Sequence, residues 1–481
     1  MTRSSYALLG ITAAAAVVRF ATLDVQSFDH DEAVTAIRVI HPSLFDTLSA
    51  VADSERSPPL YYVLVWGWSK IFGIGEVGLR SLSALFGTLT VPLAYAAAAR
   101  LGWSRRVALY AAAFVALNPY LVWYSQEARS YALMVLFATG ALVYFARSLE
   151  RPSPASLAIW ALASALALSS HYFAAFLIVP QALWLVIRSE SRQRAILATA
   201  AVAAVGLALI PLAANQEEGG RRNGFTETAL ASRVGETGLN FVASEEPAPF
   251  AGDGKTDAVQ LVAAAGGVLL LAAAIALIAT RACRDERAGA VAAGVVGGGA
   301  LALPLLLALV GLDFVNPRNL IGALVPLLIV IAIGFGCRGA GKAGLAGGAA
   351  TCALFVGVLV VVDVSAQMQR PDWRGAAQAL ASPAQPRVLV VPRNGDDPLA
   401  YYLGAGKQAL GSRLLSREID VVSTNYRVKP PGEPFELVHE ERRAPFFLLW
   451  RYRARRPQPI RMRDLADRQV LSERSTVLVA R

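Results

Sequence analysis

Between residues 6 and 365 the chain is a succession of apolar blocks, each about the 20 residues a helix needs to cross ~30 Å of hydrocarbon, with polar residues gathered at the joints. A soluble core cannot absorb that pattern, because a soluble helix keeps a polar face and a half-buried strand alternates. The blocks therefore predict a polytopic α-helical membrane protein. Composition agrees, with 55% hydrophobic and 17% charged residues among 481. Beyond Ser365 the character changes: Arg, Asp, Glu and Pro become frequent, and short β-type runs appear at 387–392, 445–452 and 476–480. These predict a membrane domain over 1–365 and a water-soluble α/β domain over 366–481.

Basic residues fix an orientation. Arg100, Arg105 and Arg106 flank one joint; Arg147 and Arg151 the next but one; then come Arg188, Arg192 and Arg194; Arg281, Arg284 and Arg287; and Arg338 with Lys342. Clusters at alternate joints are the mark of cytoplasmic loops. The spans then run near 6–23, 78–99, 107–123, 130–146, 155–170, 172–187, 195–213, 257–280, 288–311, 319–336 and 343–365, about eleven in all. The basic clusters put the N-terminus inside, and with an odd number of spans the long first loop (24–77), the polar loop 214–256 and the C-terminal domain fall on the outer face. Residues 58–74 are apolar, but counting them as a span would turn the Arg100–Arg106 cluster outward. Their aromatics Tyr61, Tyr62, Trp66 and Trp68, with Lys70, suit a helix lying in the outer interface instead.

Some function classes drop out here. Cys283, Cys337 and Cys352 offer no disulfide to the outer domain, and His30, His41, His171 and His439 are too scattered for a metal-ligand motif. The first block lacks a small-residue cleavage site and reads as a retained anchor. The formal net charge of +10 sits mostly in inner loops and an Arg-rich tail, which suits anionic lipid headgroups rather than nucleic acid.

Polar residues collect at the expected outer ends of the spans: Arg19, Asp31, Glu32, Arg80, Gln126, Glu127, Arg129, His171, Asp313 and Arg318. Charge so placed is costly and marks function by default, though each residue has a plainer reading. Arg19 and Arg80 can snorkel to the interface. Glu127 and Arg129 can form a structural ion pair, and His171 can be a satisfied interfacial histidine. Asp31 and Glu32 can cap a helix over 33–40, or supply a general base.

Several motifs decide between these readings. Asp31-Glu32-Ala33, Pro58-Pro59-Leu60-Tyr61-Tyr62, Gly78-Leu79-Arg80-Ser81, and Asn118-Pro119 leading into Trp123-Tyr124-Ser125-Gln126-Glu127-Ala128-Arg129 occur in this order. The chain thereby resembles the bacterial family 39 glycosyltransferases, C-type (GT-C fold) membrane enzymes related to protein O-mannosyltransferases and to the lipid A aminoarabinose transferase. Asn316-Pro317-Arg318-Asn319, Asp372-Trp373-Arg374 and Ala400-Tyr401-Tyr402 are weaker echoes. The sequence departs from the family at Ser57, where many relatives carry His, and at Asn319, where Tyr is usual.

The resemblance implies transfer of a sugar from a polyprenyl-phosphate donor to a hydroxyl on a lipid, glycan or protein, at the outer face of the bacterial cytoplasmic membrane. A carboxylate must take the acceptor proton, a service worth about 10²–10⁴-fold, and guanidiniums must meet the leaving phosphate. Asp31 is the expected base, with Glu32 beside it. Arg80, Arg129, Arg318 and Arg19 are expected at the donor phosphate, and Gln126, Glu127, His171 and Tyr61 at the substrate. No obligatory metal is expected, although Asp29, Asp31, Glu32 and Glu127 could bind a divalent cation if they converge. The alternative from another class is a flippase or transporter of lipid-linked sugars. Such folds usually carry mid-span charges and internal repeats, and neither is clear here.

Overall fold

The computed structural model describes residues 3–188, 191–218, 229–244, 255–380, 387–407, 412–424, 428–443, 447–467, 469–471 and 474–480. The chain forms two compact units, a membrane unit of Met1–Leu23, His41–Glu245 and Ala258–Val360, and a C-terminal unit of Asp24–Ile40, Glu246–Asp257 and Val361–Arg481. The early segment 24–40, expected to belong with the rest of the first loop, thus clusters with the C-terminal domain.

Among the described residues, seven helices are long and apolar enough to cross a bilayer: Glu76–Leu101, Tyr131–Glu150, Arg192–Glu217, Ala258–Arg281, Arg284–Leu309, Pro317–Gly336 and Arg338–Val364. The span expected at 107–123 is two helices, Arg105–Leu117 and Pro119–Ser125, bent by 56°. Pro119 cannot continue the first helix, and the Asn118 side chain starts the second by accepting from Leu121 N at 3.0 Å. Three further apolar helices, Ser4–Phe20, Pro154–Ser170 and Ala174–Arg188, are shorter than a span normally requires, so the count of eleven is not confirmed. In Arg192–Glu217 and Ala258–Arg281 only 11% of the most apolar window is buried inside the protein. Helices that are apolar all round and yet uncovered have lipid as their solvent.

Small residues let these helices touch. A Cβ on Gly289 would lie 1.7 Å from the Leu101 carbonyl oxygen, and one on Gly87 would lie 2.1 Å from Ser125 Oγ. The segment expected to lie in the interface is the helix Leu60–Phe72, preceded by Leu44–Ser54. Its indoles are anchored, Trp66 Nε1 donating to His41 O at 3.1 Å and Trp68 Nε1 to Ser81 Oγ at 2.9 Å. Ile71 and Phe72 at its end remain exposed.

The C-terminal unit is built on a six-stranded sheet in the order β2-β6-β1-β3-β5-β4, with β1 Arg387–Pro392, β2 Gly406–Lys407, β3 Arg413–Ser423, β4 Glu436–Arg443, β5 Phe447–Arg461 and β6 Ser475–Ala480. β1 and β3 pair in parallel and every other pairing is antiparallel. The runs expected at 387–392 and 476–480 are strands, and the run at 445–452 begins in residues outside those described and continues as β5. β1 is buried along its whole length, as a strand covered on both faces must be. One face packs Leu389, Val391, Val422 and Leu449 against Trp373 and Leu380 of the helix Trp373–Leu380 and Leu399 of the helix Asp396–Leu403. On the other, Val388, Val390, Ile419 and Val421 meet Leu448, Trp450 and Met462. Between β1, β3 and β5, the fully buried Asp420 accepts from Arg387 Nη1 at 2.9 Å and Arg451 Nε at 2.8 Å.

Candidate active site

Three carboxylates share the acidic segment, and their geometry separates them. Asp29 is the N-cap of a short helix, His30–Val34, which passes into a π-helical turn, Thr35–Val39. Glu32 closes a capping box by accepting from Asp29 N at 3.2 Å through Oε2. The same Oε2 accepts from Arg370 Nη1 at 2.7 Å, with the glutamate side chain fully buried. Two of the acids are therefore occupied in building the turn. Asp31, on the first turn of the same helix, is half-buried. The capping role weighed in the sequence thus falls to Asp29 with Glu32, not to Asp31 with Glu32. Burial pushes the Asp29 carboxyl above its ordinary value; Arg370 opposes this, and Asp31 and Glu32 add to it.

Two of the weaker sequence echoes hold this segment. Ser27 Oγ donates to Pro371 O at 2.8 Å and accepts from Trp373 N at 3.0 Å. The Tyr402 hydroxyl accepts from Phe28 N at 2.8 Å, while Tyr401 packs edge-on against the Phe28 ring at 5.1 Å. His30 Nδ1 faces Asp396 Oδ1 at 3.7 Å and Asp397 Oδ2 at 3.6 Å, and the Arg38 guanidinium pairs with Asp397. Among the described residues this is the one group of three or more such side chains with ligand atoms close enough for a metal ion. It lies on one side chain of the acidic segment, not on Asp31 or Glu32.

In the membrane unit, Arg80 is buried and Arg129 and Arg318 are partly so. Arg80 is 1% exposed and donates through Nη1 to Leu23 O at 2.8 Å. Arg129 pairs through Nη2 with Glu55 at 2.7 Å and lies 6.0 Å from the centroid of the Tyr62 ring. Glu55, which sequence reading passed over, is 3% exposed; its Oε2 also accepts from the Tyr62 hydroxyl at 2.5 Å, and its Oε1 has no hydrogen-bond partner. Tyr61, fully buried, lies edge-on to Tyr62 and 3.5 Å from Ser83 Oγ. Arg318 opens a 3₁₀ helix, Pro317–Ala323, its N–H donating to Asn316 Oδ1 at 3.1 Å, and Asn319 donates to Phe314 O at 2.9 Å.

Other expected site residues have structural work. Arg19 does not snorkel: it is fully buried and donates to Ala15 O, Val115 O, Ala116 O and Ser125 Oγ, tying the first helix to the bend after Leu117. Gln126 Nε2 bonds Val18 O and Arg19 O, each at 3.2 Å, and Thr22 Oγ1 at 2.7 Å, so it secures the end of that helix. His171 ends the helix Pro154–Ser170, accepts from Phe173 N at 3.3 Å and packs 5.2 Å from the Tyr131 ring. Glu127 is 7% exposed in the tight turn before Tyr131. Asp313 is gripped at both oxygens by Arg233, at 2.8 and 2.5 Å, a second ion pair the sequence did not announce.

A polytopic helical unit, followed in the chain by a small mixed sheet, has the architecture of a GT-C membrane fold. Residues 56–215 match the family model described as dolichyl-phosphate-mannose-protein mannosyltransferase. The crystal structure of ArnT from Cupriavidus metallidurans bound to undecaprenyl phosphate is similar at a TM-score of 0.59 and 12% identity, over 94% of this chain and 98% of that one. The apo state of ArnT gives the same TM-score at 14% identity over the same shares. The apo oligosaccharyltransferase of Archaeoglobus fulgidus gives 0.52 at 15% identity, over 83% of this chain and 60% of its own. No curated protein matches the chain by sequence. At such identities the structural likeness establishes the fold, and the family match covers about a third of the chain.

Proposed function

We propose that this protein transfers a sugar, of the mannosyl type named in its family description, from a polyprenyl-phosphate donor to an acceptor hydroxyl at the outer face of the bacterial cytoplasmic membrane. The observation that carries the reading is the match of residues 56–215 to the mannosyltransferase family model, on a fold shared with ArnT. Asp31, half-buried on the first turn of the helix His30–Val34, is the carboxylate assigned to general-base work. It takes the proton of the acceptor hydroxyl as that oxygen bonds to the anomeric carbon. The bond from the anomeric carbon to the phosphate oxygen breaks, and its electron pair leaves on the polyprenyl phosphate.

Arg80, Arg129 and Arg318 stabilise the charge that grows on the leaving phosphate, since a guanidinium can meet two phosphate oxygens at once. Arg19 is left out, because its donors are engaged by carbonyls and Ser125. Glu32 orients the acidic segment. Glu127, His171 and Tyr61 line the substrate side, and Gln126 supports them by holding the first helix. The C-terminal unit lies outside the membrane in this reading, as the basic joints predict.

The test is turnover with a radiolabelled polyprenyl-phosphate sugar. Asp31→Asn should lower transfer by at least about 10²-fold while the protein stays folded and binds the lipid donor. Near-native turnover in that variant would show that another group is the base. Lipid extracts of a deletion strain should accumulate one polyprenyl-linked sugar, which mass spectrometry would identify.

A further inference from the structure

The C-terminal unit contains a cavity of about 260 Å³ whose wall is mainly polar. Arg370, Arg374 and Arg443 line it, with Gln26, Ser27 and Gln378 among the rest. Asp372 is the one carboxylate on the wall, and it is committed to the fold, Oδ1 accepting from Gly375 N at 2.8 Å. Gly375 allows that close approach, since a Cβ there would come within 2.0 Å of Asp372 Oδ2. The other large cavities are of a different kind: one of about 640 Å³ is walled by Val179, Leu183, Trp184, Leu303 and Leu306, as suits lipid tails.

We propose that this basic cavity binds an oxyanion, a phosphate or carboxylate, carried by the acceptor. Three guanidiniums supply planar donor forks that match such a group in pairs of parallel hydrogen bonds. Arg374 is braced by a neutral partner, its Nη2 donating to the Asp24 carbonyl at 2.7 Å. Arg443, on the edge strand β4, pairs with Glu441 at 2.6 Å while remaining about half exposed. Arg370 is 8% exposed and joins the cavity to the acidic segment through Glu32. Gln26 and Ser27 belong to that segment as well, a few residues before Asp31. A group seated here is held by the stretch of chain that presents the proposed base, which assigns the cavity to the acceptor rather than to the donor. The amide of Gln378 on the wall suits a sugar hydroxyl flanking the anion. This inference rests on the transferase reading above and adds to it the acceptor's chemical class.

The experiment uses the full chain in nanodiscs of phosphatidylcholine, titrated with glycerol phosphate by calorimetry, and a parallel preparation containing phosphatidylglycerol. Wild type should bind glycerol phosphate, and Arg374→Gln/Arg443→Gln should weaken that binding at least tenfold. Because Arg443 is on the surface, Arg443→Glu serves as a second variant whose folding is checked by thermal unfolding. Binding of the donor lipid should be unchanged in both, and Asp31→Asn should bind glycerol phosphate as wild type does. Competition by phosphatidylglycerol would mark the source as a lipid headgroup, and its failure to compete a water-soluble one; either supports the site. Absence of glycerol phosphate binding in wild type, or equal affinity in the folded variants, overturns it. A protein that binds glycerol phosphate through these arginines yet transfers no sugar would sink the transferase reading and leave the cavity standing.

Discussion

Replacing Glu55 tests whether the membrane unit is organised around a buried charge pair. The carboxylate is 2% exposed and its partner Arg129 is 11% exposed, at 2.7 Å, so solvent screens the pair little. Glu55→Ala removes the carboxylate from a buried guanidinium and takes away the acceptor of the Tyr62 hydroxyl, at 2.5 Å. Breaking a buried pair from one side costs about 3–5 kcal/mol. Glu55→Gln keeps the shape and an acceptor oxygen but loses the charge, and should cost about 1–3 kcal/mol. Removing Arg129 as well should recover part of the loss, because no charge is then buried alone; the coupling in the double-mutant cycle should fall within about 0.5–3 kcal/mol. The assay is reversible unfolding in mixed micelles of rising SDS fraction, followed by tryptophan fluorescence, on wild type, both single alanine variants and the double variant. A Glu55→Ala stability within about 0.5 kcal/mol of wild type, the range of an ordinary surface substitution, would refute the reasoning.

Further expectations concern charge, packing and metal. Arg80→Gln should raise the KM for the donor lipid and lower kcat, and initial rates against donor concentration decide it. The raised Asp29 carboxyl means the folded protein holds a proton that the unfolded chain has released, so this group's contribution to stability falls as pH rises from the ordinary 3.8 toward the raised value; Asp29→Asn should remove that slope, measured by unfolding between about pH 4 and pH 7. Gly289→Ala should destabilise by about 1–3 kcal/mol through overpacking against Leu101, whereas Gly298→Ala, which has nothing within 4 Å, should be neutral or better in the same unfolding assay. Treatment with EDTA should leave transfer intact; loss of activity restored by Mg²⁺ or Mn²⁺ would assign a metal to the reaction.

How far the sequence could be read depends on whether a feature is local. The spans, β1 and β6 show as unbroken apolar runs, and the Asn118-Pro119 motif lies at the bend it causes. β4, with the sequence Glu436-Leu437-Val438-His439-Glu440-Glu441-Arg442-Arg443, was missed because an exposed edge strand carries no apolar alternation. The helix lengths that leave the span count open are set by tertiary breaks such as His171. Of the candidate site, the acidic segment, Arg80 and Arg129 show in the sequence as costly polar residues. Their partners were not: nothing in the local pattern ties Glu55 to Arg129, Arg233 to Asp313, or Glu32 to Arg370, since each pair is closed only by the fold. The roles first weighed for Arg19 and Gln126 narrowed for the same reason, once the carbonyls that take their hydrogen bonds were in view.

The clamp on the acidic segment has a consequence in time. Ser27 bonds to Pro371 and Trp373, and Phe28 to Tyr402, across sequence separations of 344, 346 and 374 residues. The acidic residues are therefore synthesised 344 to 374 residues before these supports. The intervening helices can enter the bilayer while the acidic turn waits for its tyrosine and its arginine. Closing so long a loop is also entropically slow. The acidic turn can therefore take up this clamped arrangement only after residues 371–402 have been synthesised.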